Sequence, residues 1–214
     1  MVVDDLGRLA NDLAQYDEAT GLFQEALTLR HEIDDQFGIP YDQHHLGTLA
    51  HGERDDARAT TLFEQSLAQF QKLGDKLGIA LALLSLGDVA HANGAHARAL
   101  ELYAQGLALC RTVGDKRALL HGLETFAKIN ASQGDHQRAA RLWGAAGALR
   151  HAIHSPIPPS ERESHQQSVN EIRSALGDEA FARASSEGQA MTTDEAVAYA
   201  LNTEAAVPRE AYGL

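Results

Sequence analysis

The apolar residues of this chain recur with a helical period, in paired runs separated by short polar breaks. From Gly78 to Ala92 they stand almost all round (Ile79, Leu81, Leu83, Leu84, Leu86, Val89), the pattern of a helix packed on both sides. Asn93-Gly94 breaks that run, as a helix C-terminus does. A second helix is predicted from about His96 to Val113, with Leu100, Tyr103, Leu107 and Cys110 on one face. Gly114 ends it, and Asp115 is placed to cap the next.

The unit repeats. Leu6-Gly7, Leu46-Gly47 and Leu86-Gly87 are spaced by 40 residues, with a degenerate fourth copy at Phe126-Ala127. An Ala follows 13 residues after each (Ala19, Ala59, Ala99, Ala139), then a Leu (Leu22, Leu62, Leu102, Leu142) and an aromatic residue (Phe23, Phe63, Tyr103, Trp143). Small residues come next (Ala26, Ser66, Gly106, Ala146), and copies close on Asp34-Asp35, Gly74-Asp75 and Gly114-Asp115. A lone helix pair cannot bury its apolar face, whereas stacked pairs share one core. The small columns let helices approach closely, and the aromatic column fills the gap between one pair and the next as core.

The ends differ from the middle. Only five residues precede Leu6, so the first copy begins inside a helix and exposes Val2, Val3 and Leu6. Either a longer protein covers that face or the chain dimerises through it. At the other end, His151 to Ser160 is a proline-rich break. Ser160 and Glu163 are spaced as a capping box for a helix to about Leu176. Asp178 to Glu187 reads as another helix, and Thr192 with Glu195 as a second capping box before a helix to Leu201. Phe181, Val197 and Leu201 are expected to cover the end of the repeats. The organisation is therefore 1–153 repeats, 154–202 capping helices and 203–214 a flexible tail.

The columns resemble the tetratricopeptide repeat, which places Leu-Gly in its first helix and Ala, an aromatic and Ala in its second. The match is fullest at Leu6-Gly7, Ala19, Phe23 and Ala26, and recurs at Leu46-Gly47, Ala59, Phe63 and Ser66. The period is longer than usual and the family's closing Pro is replaced by His31, Gln71 and Arg111. The resemblance implies an all-α fold: a right-handed superhelical solenoid of antiparallel helix pairs with a short C-terminal helical cap. The tail from Leu142-Trp143-Gly144 through Pro156-Ile157-Pro158-Pro159 to Ala175-Leu176-Gly177-Asp178 and Thr193-Asp194-Glu195 is similar to the carboxyl termini of bacterial signalling ATPases and LuxR-type transcriptional regulators. That implies a sensor or interaction arm; a free-standing scaffold bridging two proteins is the alternative.

Composition narrows the chemistry. With 18 Lys and Arg against 30 Asp and Glu, the net charge of −12 repels phosphates over most of the surface, so direct nucleic-acid contact is not expected. No apolar run approaches the ~20 residues of a membrane span, and the start lacks a secretory pattern; a cytoplasmic location is expected. The single Cys110 excludes an intramolecular disulfide and reads as an inert core thiol. Eleven His residues include the pairs His44/His45, Asp88/His91 and His121/Glu124, yet no metal-binding or nucleophile-elbow motif surrounds them. No P-loop occurs, so no nucleotide site is expected, and with none of these motifs present neither a cofactor nor catalysis is expected.

A binding groove fits better. In the resembled solenoids the first helices line a concave wall, and carrying their columns over selects twelve residues. These are Arg8 and Asn11 from the first copy; Tyr41, His44, Thr48 and His51 from the second; Leu81, Asp88 and His91 from the third; His121, Glu124 and Lys128 from the fourth. Their mixed chemistry suits a protein or peptide, or a polar small-molecule effector, with binding sensitive to pH through the histidines. Only Arg8 and Lys128 are basic, too few to clamp an acidic peptide tail.

Overall fold

Turn chemistry sets where the helices start and stop. In the computed structural model, which describes residues 2–201, Asp55, Asp75, Asp115 and Asp135 each accept the backbone N–H three residues on, at 2.8–3.1 Å. Each carboxylate satisfies a donor that has no partner inside the helix. Second helices close on Gly74 (φ 69°) and Gly114 (φ 76°), in the left-handed region. The first copy uses Asp34 (φ 54°) at the same place. Turns within pairs use Gly94 and Gly134 in two copies but Ala14 (φ 61°) and Arg54 (φ 64°) in the others.

The resulting helices are α1 (Val2–Asp12), α2 (Tyr16–Glu32), α3 (Ile39–Gly52), α4 (Asp56–Leu73), α5 (Lys76–Ala92), α6 (His96–Val113), α7 (Lys116–Ser132) and α8 (His136–Ala152). A 3-10 turn (Pro159–Glu161) then leads into α9 (Arg162–Leu176), α10 (Asp178–Gln189) and α11 (Thr193–Leu201). The first eight form four antiparallel pairs, each packed on the next. Among the described residues there is no strand.

The Leu-Gly column has a direct steric cause. A Cβ at Gly7, Gly47 or Gly87 would stand 2.9, 2.7 or 2.6 Å from the ring of Phe23, Phe63 or Tyr103 in the same pair. The ring edge lies against the bare glycine, and the ring reaches the following pair: Phe23 stacks on His45 at 4.7 Å, and Tyr103 sits 6.1 Å from Phe126. Phe23, Phe63, Tyr103 and Trp143 are all buried, so the aromatic column is core. Cys110 is buried too, and burial pushes its thiol up to about 12, which makes it unreactive.

The last three helices close the stack as expected. Phe181 and Val197 are buried in the same core as α7 and α8, and Leu201 packs against it half-buried. Helix α10 crosses α8 with backbone against backbone, since a Cβ at Gly144 would strike the Ser185 carbonyl and one at Gly188 the Arg141 carbonyl. Thr192 and Glu195 form the predicted capping box, each side chain accepting the other's backbone N–H at 3.2 and 2.8 Å. The Ser160–Glu163 box does not form. Pro158 and Pro159 fix the backbone so that Ser160 falls inside the 3-10 turn, and Glu161 precedes α9 with no side-chain cap.

At the opposite end the apolar columns lie open. Leu6 and Leu9 are 48% and 54% exposed, whereas their counterparts Leu46 and Leu49 are 5% and 3% exposed beneath Phe23 of the preceding pair. Leu13 is half-exposed beside them, and Val3 is partly buried. The side chain of Val2 and the expected tail at 203–214 lie outside the described residues.

Candidate interaction groove

The helices α1, α3, α5 and α7 lie side by side, and the expected residues form repeating columns on them. One column reads Tyr41, Leu81, His121; the next His44 and Glu124; the third Arg8, Thr48, Asp88, Lys128; the fourth Asn11, His51, His91. They share one face because successive columns are three or four residues apart.

Much of this face is bonded from one pair to the next. The Tyr41 hydroxyl donates to Asp75 at 2.6 Å, and burial followed by that carboxylate pushes the phenol well above its ordinary range. His44 Nε2 meets Ser85 Oγ at 3.0 Å while its ring packs against Phe63. Burial lowers its imidazole to about 3, so it is neutral at physiological pH. Asp88 joins three helices: its carboxylate accepts from Tyr103 Oη at 2.8 Å and from His121 Nε2 at 3.1 Å. Burial works to raise Asp88, but the His121 charge and both hydrogen bonds outweigh it and hold the carboxyl below its ordinary value. The His121 side chain is 47% exposed; partial desolvation opposes its charge, yet Asp88 prevails and raises the imidazole.

The fourth column is engaged at the helix ends. His51 Nδ1 lies 2.7 Å from Asp56, and His91 Nδ1 lies 3.2 Å from His96. Burial and then His96 lower His91. Glu124 is held by Arg150 of α8 at 2.7 Å. Thr48, Lys128, Arg8 and Asn11 present more open polar surface, Arg8 in an ion pair with Asp5 and Thr48 donating to the His44 carbonyl at 3.2 Å. Leu81 is half-buried against the core. Of the twelve, Tyr41, His44, Asp88, His121 and Glu124 are bonded to neighbouring elements, His51 and His91 are engaged at helix ends, Leu81 packs on the core, and Arg8, Asn11, Thr48 and Lys128 keep the more open polar surface.

Arg8, Asn11 and Thr48 border a cleft of about 400 Å³ among α1, α3 and the start of α7, lined also by Asp12, His45 and Arg117. Arg117 was not selected from sequence, because it sits at a helix start where a cation ordinarily faces solvent. His45, adjacent to His44 in the sequence, was not among the expected groove residues; burial, then Arg8 and Arg30, lower it to about 4. Beneath the cleft Arg30 ties α2 to its neighbours. It forms an ion pair with Asp42 at 2.9 Å without a hydrogen bond, lies 3.7 Å from Asp4 and donates to the Gly38 carbonyl at 2.6 Å. Asp42 is fully buried and burial raises it to about 6. Its column holds Ala82 and Gly122 in later copies, so a carboxylate there was the legible anomaly. Among the described residues no three His, Cys, Asp or Glu side chains converge as metal ligands would.

Comparison with known proteins bears on the repeats directly. Residues 3–33 and 43–112 each match a family model of the tetratricopeptide repeat. A stretch of 57 residues is 47% identical to proteins named as HTH-type transcriptional regulators in Mycobacterium tuberculosis and Mycobacterium bovis, covering 27% of this chain. The chain spans only 6% of the length of those relatives. Among solved structures, BtubC (BKLC) from P. vanneervenii superposes with a TM-score of 0.61 at 19% identity, over 99% of this chain and 84% of that one. The TPR-like repeats of a Podosopora anserina protein named as a kinesin light chain superpose with a TM-score of 0.55 at 19% identity, over 95% and 96%. The repeating helix pairs of this chain form a tetratricopeptide-repeat region, folded as a solenoid and closed by a C-terminal helical cap.

Proposed function

We propose that this chain is a non-catalytic binding module whose concave wall takes a protein or peptide segment, or a small polar effector. The observation that carries the reading is the wall itself. Its inner residues are locked from pair to pair, which makes a stiff surface, while Thr48, Asn11, Lys128 and Arg117 beside them keep polar groups toward solvent. Preorganised surfaces lose less entropy on binding. The partial likeness to HTH-type regulators supports a sensor or interaction arm of a transcription regulator; that the arm serves a cytoplasmic bacterial signalling or transcription-regulating ATPase is part of the proposal. In that role a partner moves a switch only by binding its two states unequally.

The exposed Leu6, Leu9 and Leu13 supply a second protein-facing surface, through which the chain pairs with a second copy or with adjoining polypeptide. The groove reading is tested by selecting peptides on the immobilised chain and titrating them by fluorescence anisotropy. Thr48→Arg and Lys128→Glu are expected to weaken selected peptides at least tenfold. Unchanged affinity in both variants sinks the assignment.

A further inference from the structure

One short stretch of the chain's own backbone is linked to the wall of first helices at both of its ends, α7 and α1. Arg150, near the end of α8, grips two things at once: Glu124 on the wall through Nη2 at 2.7 Å, and the backbone carbonyl of Ser155 through Nη1 at 3.2 Å. Beyond Ser155 the chain is extended and holds three of the five prolines in the sequence. Pro158 has φ −54° and ψ 145°, the polyproline II region. The 3-10 turn that follows comes against α1, the helix at the far end of the solenoid. Helix α9 then returns, with the His165 ring 5.0 Å from Trp143 and its Nε2 3.9 Å from Glu124.

The segment therefore strides from the α7–α8 end of the solenoid to α1. It is not part of the core: Pro156 and Pro159 are exposed, while Ile157, Pro158 and Ser160 are half-buried. A stretch that touches both ends of the arc yet keeps one side in water has the character of a bound peptide rather than of a packed element.

We propose that residues 155–161 are a resident ligand, and that the concave face takes an extended, proline-rich peptide whose place this segment holds. The proposal rests on the groove reading above and adds the class of partner. Polyproline II suits the role because it is extended before binding and loses little freedom on docking. Tethering raises the segment's local concentration to the millimolar scale, so an outside peptide must displace it.

The test is a peptide of residues 153–162, fluorescently labelled, titrated against two forms of the full chain. One is native; the other carries Pro156→Gly, Pro158→Gly and Pro159→Gly together, which dissolves the polyproline geometry. The substituted chain is expected to bind the peptide at least tenfold more tightly than the native chain. Amide exchange of α1 is expected to accelerate severalfold in the substituted chain, and likewise in Arg150→Gln, which keeps the prolines but releases Ser155. Equal affinity for the two forms, no saturable binding to a substituted chain of native circular dichroism, or unchanged α1 exchange in both variants overturns the proposal. If selected peptides still bind in a Thr48-sensitive way while this peptide does not, the groove stands and only the resident ligand falls.

Discussion

At the scale of single residues, two kinds of position carry energy that a contact map does not display. Ala14 and Arg54 adopt the left-handed backbone that Gly94 and Gly134 adopt in later copies. An L side chain in that region costs about 1–2 kcal/mol, partly recovered because glycine loses more freedom on folding. Arg54→Gly should therefore stabilise the chain by up to about 1 kcal/mol, read as a higher urea midpoint with an unchanged slope.

The second kind is the buried titratable group. Asp42 titrates near 3.8 when unfolded and about 6 when folded, so its ionisation weakens the fold above pH 6 and ceases to matter below 4. His44 and His45 act oppositely. They titrate near 6.5 unfolded and at about 3 and 4 folded, so they cost nothing above 6.5 and destabilise progressively as pH falls. Two losses exceed one gain between pH 6 and 4, so Tm should drop in acid. His44→Gln should flatten that drop, and Asp42→Asn should raise stability at pH 7 by about 1–2 kcal/mol. Calorimetry across pH reads all three; a Tm independent of pH from 7 to 4 contradicts the assignment.

At the scale of elements, two sorts of glycine hold helices together, and they differ in what faces them. Gly47 faces the buried Phe63 ring, a side chain that can yield only by repacking its neighbours, so Gly47→Ala should cost about 1–3 kcal/mol. Gly144 and Gly188 face carbonyls of the crossing helix, and backbone cannot yield locally. Gly188→Ala should cost more than Gly47→Ala and should detach α10 from α8. Trp143, buried beneath this region, should then shift its fluorescence to the red, as it should not for Gly47→Ala. The helix pairs and their glycine column were legible because one steric need recurs every 40 residues. The α8–α10 crossing occurs once, so no period marked it. The Ser160–Glu163 pattern misled for a related reason: the spacing was right, but the prolines before it had already fixed the backbone.

At the scale of the whole molecule, the solenoid has one closed end and one open end. The cap buries the last pair, whereas α1 leaves Leu6, Leu9 and Leu13 in water. Leu9→Glu with Leu13→Glu should leave the melting temperature nearly unchanged, because these side chains pack on little; on the pairing with a second copy proposed above, the native chain should show concentration-dependent self-association in sedimentation velocity and the double variant none. A destabilised variant would mean that these leucines carry folding energy within the chain instead.

The order of helices, their pairing and the core columns were determined by the sequence alone, because burial at a helical period and backbone punctuation by Asp and Gly are local and repeat. Which polar residues of the wall are free was decided only in three dimensions. Tyr41 finds Asp75, His44 finds Ser85 and Asp88 finds His121 at separations of 34, 41 and 33 residues, across pair boundaries that no local pattern encodes. The same holds for the 3-10 turn beside α1: superhelical curvature, summed over four helix pairs, brings distant segments together, and small rotations accumulate where no single residue specifies them.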